Sequence, residues 1–227
     1  MSQQTFLCVF AYADIMPSTM DCLLRDLTSL GPLVYHRESL DALISRARST
    51  AASIFLRSEC DVLVMIDHDL GWQAGDLQRL IAGARHTRGV VGGVYPKRTF
   101  GKGFASRILE EGAHAIPSNA LVEAEYVSTG FFAVHREVVE GVAATMPLTN
   151  GDFWPLFLPM LSPPRADGRP EYLSEDWAFC ERARNLGFPL YLDLFPVLTH
   201  TGRHTYRLID SVVPLPDDQP VTIQVRR

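Results

Sequence analysis

The chain has 227 residues, 47% of them hydrophobic and 21% charged, which fits one α/β domain with a packed core and excludes a disordered chain. The net charge of −5 argues against a sequence-independent nucleic-acid binder, which presents a basic surface. Cys8, Cys22, Cys60 and Cys180 lie far apart with no C-x-x-C spacing, predicting free thiols in a reducing compartment and neither a disulfide framework nor a zinc site. The first apolar run lacks a basic leader and is too short for a membrane span, so a cytoplasmic protein is expected.

In chain order, residues 5–13 read as a buried strand. Ser18 is placed to cap a helix that ends at Gly31-Pro32. Residues 33–36 are a short strand, after which Ser39 caps a helix whose stripe is Leu40, Leu43, Ile44, Ala47, Ala51, Ile54 and Phe55. Residues 61–67 (D-V-L-V-M-I-D) form the clearest central strand, followed by a helix with Leu77, Leu80, Ile81 and Ala84 on one face. Residues 89–95 are the next strand, residues 96–103 a basic, glycine-containing loop, and residues 127–135 enter another strand with a helix from about Arg136. Residues 147–172 hold six of the fifteen prolines with Phe153, Trp154 and Phe157, predicting a long functional or mobile loop. Ser174 caps a helix that Gly187 ends, residues 189–193 return to extended structure, and residues 221–225 offer a late edge strand. Strands alternating with helices predict one domain over residues 1–212 with a mostly parallel sheet, and a tail over residues 213–227.

No G-x-G-x-x-G follows the first strand, and neither a P-loop nor a G-x-S-x-G is present. The sharpest feature is Asp67-His68-Asp69, at the carboxyl end of an apolar strand, where open α/β sheets bind ligands. Acids at i and i+2 on a strand point to one side and suit a hard divalent cation with its phosphates, although the triplet alone reads equally well as a solvated acidic turn. Glu175 and Asp176 begin a helix, where acids often only offset the helix dipole. His200 stands in a Thr-His-Thr-Gly turn, and a lone histidine is more often structural than a ligand. Arg48 sits at the border of its helix's apolar stripe, poised to reach the sheet or to snorkel over the core edge, and Arg46 lies on the opposite face. Lys97 and Arg98 read either as a rim of the site or as a solvated basic turn.

Taken in order, these parts resemble the GT-A glycosyltransferases, and among them the broad family-2-like group with its small bacterial and phage relatives. The resemblance covers residues 5–206. Residues 44–50 (I-S-R-A-R-S-T) are similar to the family's A-R-N helix, and Asp67 to Asp69 to its D-x-D. Residues 91–98 (V-G-G-V-Y-P-K-R) follow, residues 128–135 (S-T-G-F-F-A-V-H) resemble the T-G segment, residues 174–182 the E-D helix, and residues 200–202 the terminal H-x-G. Six ordered matches are more specific than any single one.

The resemblance implies a GT-A domain that moves a sugar from a nucleotide-sugar donor to a hydroxyl acceptor. Asp67 would bond the donor ribose and stand near the ion. Asp69 would ligate Mn²⁺ or Mg²⁺ across the diphosphate, with His200 as a further ligand whose nitrogen tilts the choice toward Mn²⁺. Ala11, Tyr12 and Asp14 would contact the base, His68 and Arg48 would lie with the donor, and Asp176 would be the general base, with Glu175 as second choice. Two departures stand out: Ser49 replaces the family's asparagine, and the acid that often reads a uracil base after the second strand is missing, with residues 35–38 (Y-H-R-E) in its place. Inversion is expected, retention stays open, and a non-catalytic nucleotide-sugar-binding protein is the alternative outside enzymes. A nucleotidyltransferase would need a glycine-rich phosphate loop after the first strand, which residues 10–14 (F-A-Y-A-D) do not provide. Candidate acceptors are a glycan, a lipid-linked intermediate or a hydroxylated nucleobase.

Overall fold

The computed structural model describes residues 3–97, 103–109 and 121–202, and the backbone of residues 205–207. Its first strand, β1 (Thr5–Ala11), is buried along its whole length. In α1 (Pro17–Leu27) a proline opens the helix, where its missing N–H costs nothing; Met16 takes the cap position and Ser18, expected there, lies within the first turn. Strand β2 (Leu33–Ser39) pairs in parallel with all of β1, from Thr5↔Leu33 to Ala11↔Ser39. Ser39 therefore ends a strand and caps no helix. Leu40 turns the chain with φ 64°, and α2 (Ile44–Leu56) begins four residues further on. Leu40 and Leu43 consequently drop out of the expected apolar stripe and are exposed, whereas Ala47, Ala51 and Phe55 are buried as the spacing predicts.

The chain continues through β3 (Val62–Asp67), β4 (Leu70–Gly71), α3 (Asp76–Thr87), β5 (Val90–Gly93), β6 (Arg107–Ile108), β7 (Leu121–Tyr126), β8 (Phe131–His135) and α4 (Arg136–Ala144). Then come β9 (Met160–Pro164), β10 (Pro170–Leu173), α5 (Glu175–Asn185), β11 (Leu190–Asp193), β12 (Thr199–Thr201) and β13 (Thr205–Arg207). The central sheet has eight strands in the order β2-β1-β3-β8-β5-β11-β7-β6. From the pairing directions, β2, β1, β3, β5, β11 and β6 run one way, and β8 and β7 run against them. The chain is thus a mixed α/β protein with most strands pointing in one direction.

Alternation along the strands divides the core between the two faces of the sheet. Phe6, Cys8, Phe10, Leu63 and Met65 pack with Phe55 of α2, Val138 of α4 and Phe179 of α5. Leu7, Val9, Val62, Val64 and Ile66 pack on the other side with Leu23 of α1 and Leu77, Leu80 and Ile81 of α3. A strand buried on both faces must be apolar at every position, which explains the unbroken run from Val62 to Ile66.

Residues 147–172 are not one long loop. They include the antiparallel hairpin β9–β10, with Tyr172 opposite Leu161. The hairpin's outer end is tied down by charge: Arg165 donates to Glu125 and Glu171, and Arg107 also donates to Glu171 and lies 4.5 Å from the Trp177 ring centroid. Trp154 is half-buried against the far end of α2, its amide bonded to Ser53 Oγ and the Arg57 guanidinium 5.7 Å from its ring. Residues 213–227, including the expected edge strand at 221–225, lie outside the described residues, and among the described residues no helix is long and apolar enough to cross a membrane.

Phe157 shows how firmly the segment is built in. It is fully buried, stacked on Phe179 at 4.6 Å and 10° between planes, with its amide on Ser49 Oγ at 3.1 Å. Phe157→Ala should lower unfolding stability by about 3–5 kcal/mol in urea titration, the cost of a large core cavity. Leu158→Ala, at a half-exposed neighbour, should change it by less than about 0.5 kcal/mol. Equal effects at the two positions would mean that the segment is only loosely attached.

Candidate functional site

The alternation that buries Leu63 and Met65 on the α2–α5 side brings Asp67 out on that same side, at the carboxyl edge of β3. The strand ends there. His68 and Asp69 form a turn into β4, held by His68 N donating to Phe10 O at 3.1 Å and by Met16 N donating to His68 O at 2.9 Å. The two carboxylates therefore do not project together from one strand as the i, i+2 spacing implied, and they find different partners.

Asp67 meets Arg48. Nη2 of this arginine donates to Asp67 Oδ1 at 2.9 Å, and Nη1 donates to Glu175 Oε1 at 2.8 Å. Arg48 is 4% exposed. Burial opposes its charge, but Asp67, Glu175 and Asp176 more than offset this, so its pKa lies above the ordinary arginine value. Arg48 thus joins the central strand to the first turn of α5 instead of snorkelling over the core edge. Arg46 pairs on the outside with Asp41.

Asp69 meets His200. Strand β12 pairs with β4, placing His200 opposite Leu70, and Thr201 N donates to Asp69 O at 2.7 Å. His200 Nδ1 lies 2.9 Å from Pro96 O and Nε2 lies 3.4 Å from Asp69 Oδ1. A carbonyl can only accept, so Nδ1 carries the hydrogen, and in the neutral ring Nε2 turns its lone pair toward the carboxylate. This is the outer bond that usually orients a metal-ligating histidine. Among the described residues no three His, Cys, Asp or Glu side chains gather around one point, so Asp67 does not join Asp69 and His200 in a closed cage. Two protein ligands fit a cation whose remaining positions are filled by phosphate oxygens and water, the usual arrangement for an ion that arrives with a diphosphate.

On α5, Asp176 Oδ1 accepts from Trp177 N at 2.8 Å and from the Ser174 hydroxyl, which bonds this side chain and caps no backbone amide. Burial, and then the neighbouring Glu175, push the Asp176 pKa above the usual carboxylate value, against the pull of Arg48, Ser174 and the Trp177 amide.

Beside these groups lies a cleft of 380 Å³, lined by Ala11, Tyr12, Arg48, Asp67, His68 and Asp69 as expected, and also by Phe10, Glu38, Asp41 and Ile44. Asp14 is exposed and does not line it. Glu38 corrects the sequence reading, since an acid does stand at the end of the second strand. Extending that strand through Ser39 would have found it, because Glu38 is in register with Phe10. Tyr95, also not singled out, is buried with its hydroxyl accepting from Gly130 N at 3.0 Å. Lys97 is exposed, and Arg98 lies outside the described residues.

No protein-family model matches the sequence, and no curated protein matches it. Solved structures do match in shape. One is the crystal structure of A197 from STIV, at 19% identity and a TM-score of 0.61, covering 95% of this chain and 100% of that one. Another is GalNAc-T7, solved with UDP, GalNAc and Mn²⁺, at 12% identity and a TM-score of 0.51. That match covers 90% of this chain but 44% of GalNAc-T7, so the chain spans less than half of that protein's length. At such identities the fold is what is shared, and it is the GT-A fold.

The Arg48 bridge makes a stability prediction. Arg48→Ala leaves Asp67 and Glu175 without their common cation, and breaking a buried pair in this way typically costs about 3–5 kcal/mol. Urea unfolding should show a loss of that size, whereas Arg46→Ala should leave the midpoint near the wild-type value. An Arg48→Ala protein of wild-type stability would mean that solvent reaches the guanidinium freely.

Proposed function

We propose that this chain is a metal-dependent, inverting glycosyltransferase that takes a nucleoside-diphosphate sugar and glycosylates a hydroxyl acceptor. The observation that carries this reading is the convergence on one cleft of Asp67 and Asp69 from β3 and its following turn, with Asp176 brought to the same edge through Glu175 and Arg48. The shared fold with GalNAc-T7, whose structure holds UDP, GalNAc and Mn²⁺, supports the donor class and the metal. The nucleobase would lie toward Tyr12 and Glu38, the ribose toward Asp67, and the diphosphate toward Asp69 and His200. A divalent cation there supplies charge neutralisation for the departing diphosphate.

In the transfer, the acceptor oxygen forms a bond to the anomeric carbon as the bond from that carbon to the diphosphate oxygen breaks. The electron pair leaves with the diphosphate, and the acceptor proton passes to Asp176. Glu175 is held by Arg48 and therefore positions the helix turn, which leaves the base role to Asp176. The raised proton affinity of Asp176 suits that role, because a base works best with a pKa nearer the operating pH. The same environment speaks against Glu175 as the nucleophile of a retaining reaction, since its carboxylate is tied in a buried ion pair.

The assignment is tested by Asp176→Asn. Turnover should fall ~10²–10⁴-fold with donor affinity preserved. Only the deprotonated carboxylate accepts a proton, so wild-type kcat should fall as pH drops through the raised Asp176 pKa. Its acid limb should then lie above about 3.9, the ordinary aspartate value. Near wild-type turnover in the amide variant would overturn the assignment, and a wild-type protein that binds donor without turnover would favour the non-catalytic reading.

A second experiment concerns the ion. Asp69→Ala should remove the Mn²⁺-dependent part of nucleoside diphosphate binding in calorimetry. An unchanged Mn²⁺ dependence would take Asp69 out of the site.

A further inference from the structure

Tyr95 follows β5 with 6% of its surface exposed and turns its polar end toward the carboxylates of the cleft. A methyl group added at Gly130 would lie 2.6 Å from the Tyr95 hydroxyl oxygen and 3.0 Å from Asp67 Oδ2. Both oxygens therefore crowd one point above the Gly130 α-carbon, and glycine is the residue that leaves room for them. The hydroxyl oxygen accepts the Gly130 amide at 3.0 Å, and so holds the turn whose carbonyl receives the Asp67 amide.

The other flank of the same residue supports His200. The two rings meet edge to face, with centroids 5.6 Å apart and planes at 88°. The carbonyl that takes the His200 Nδ1 hydrogen belongs to Pro96, the next residue in the chain. Asp67 N in turn donates to Gly130 O at 2.9 Å, closing a loop of contacts between the end of β3, the start of β8 and the exit of β5.

We propose that Tyr95 is the positioning residue of the diphosphate end of the cleft: its hydroxyl, clamped by Gly130, orders Asp67, while its ring and the adjoining Pro96 carbonyl keep His200 Nε2 aimed at Asp69. This rests on the glycosyltransferase reading above and adds to it a residue that touches neither sugar nor acceptor. A purely structural Tyr95 would fill space and satisfy the Gly130 amide, with no effect on ligand affinity once the protein is folded.

Tyr95→Phe keeps the ring and removes the hydroxyl. Calorimetry with UDP and GDP, each with and without Mn²⁺, should show nucleoside diphosphate binding weakened ~10–100-fold in the folded variant, the size usual for loss of an outer partner that orients a binding group. Gly130→Ala, which displaces the hydroxyl while retaining the tyrosine, should give a similar loss. The double variant should be little worse than either single one, because both act through the same contact. Unchanged nucleoside diphosphate affinity in folded Tyr95→Phe would overturn the proposal, as would full additivity of the two substitutions. A wild-type protein that binds neither diphosphate would instead defeat the functional reading. The clamp would then be judged on the ligand-free protein by hydrogen exchange at the Asp67 and Gly130 amides. Loss of protection in Tyr95→Phe supports the clamp, and retained protection overturns it.

Discussion

A guanidinium buried to 4% exposure has to find its counter-charges inside the protein, and that requirement at Arg48 organises the whole cleft. Its two terminal nitrogens reach residues 19 and 127 positions away in sequence, Asp67 and Glu175. A lysine could not hold both, because a planar fork addresses two carboxylates at fixed angles and a flexible ammonium does not. The bridge spans the sheet edge and α5, so the end of β3 and the first turn of α5 share one internal charge.

This sharing leaves the region acidic. Asp67, Asp69, Glu175 and Asp176 bring four carboxylates to this edge, and the buried Arg48 pairs with two of them. Burial, and after it the neighbouring Glu175, give Asp176 an elevated proton affinity. A pair in which one acid is neutralised by Arg48 and the other is left with a higher pKa has its roles separated by environment.

Much of this was legible in the sequence. The apolar run from Val62 to Ile66 located the central strand, its terminal acids marked the edge where the cleft lies, and the order of motifs pointed to the GT-A fold. Less was readable where local pattern and tertiary pairing disagree. The β2 segment from Tyr35 to Ser39 alternates between exposed and half-buried and contains four charged or titratable side chains, so its length was hidden until β1 supplied a partner for every residue. With it were hidden Glu38 and the true start of α2. Proline content suggested a loose loop at residues 147–172, yet prolines at Pro163, Pro164 and Pro170 sit on a two-stranded ribbon, where few amides are needed for pairing. The partition of Asp67 to Arg48 and Asp69 to His200 depends on a turn that spacing alone does not encode. Tyr95 left no signal except its place after an apolar strand.

The β9–β10 ribbon has a bearing on how such a fold can diversify. Among the described residues its strands pair only with each other, and its tip is fastened by Arg107, Glu125, Arg165 and Glu171 on the outer part of the molecule. Charge contacts of that kind tolerate rearrangement better than a close-packed interior, and salt weakens them while leaving apolar burial largely intact. Leu173, at the inner end of the ribbon, is buried immediately before Ser174 and the helix turn that carries Asp176. The ribbon can therefore be lengthened, shortened or given a new surface at its tip while the anchored end keeps Asp176 in register, so that inheritance of the strand-edge constellation is separated from inheritance of the outer surface.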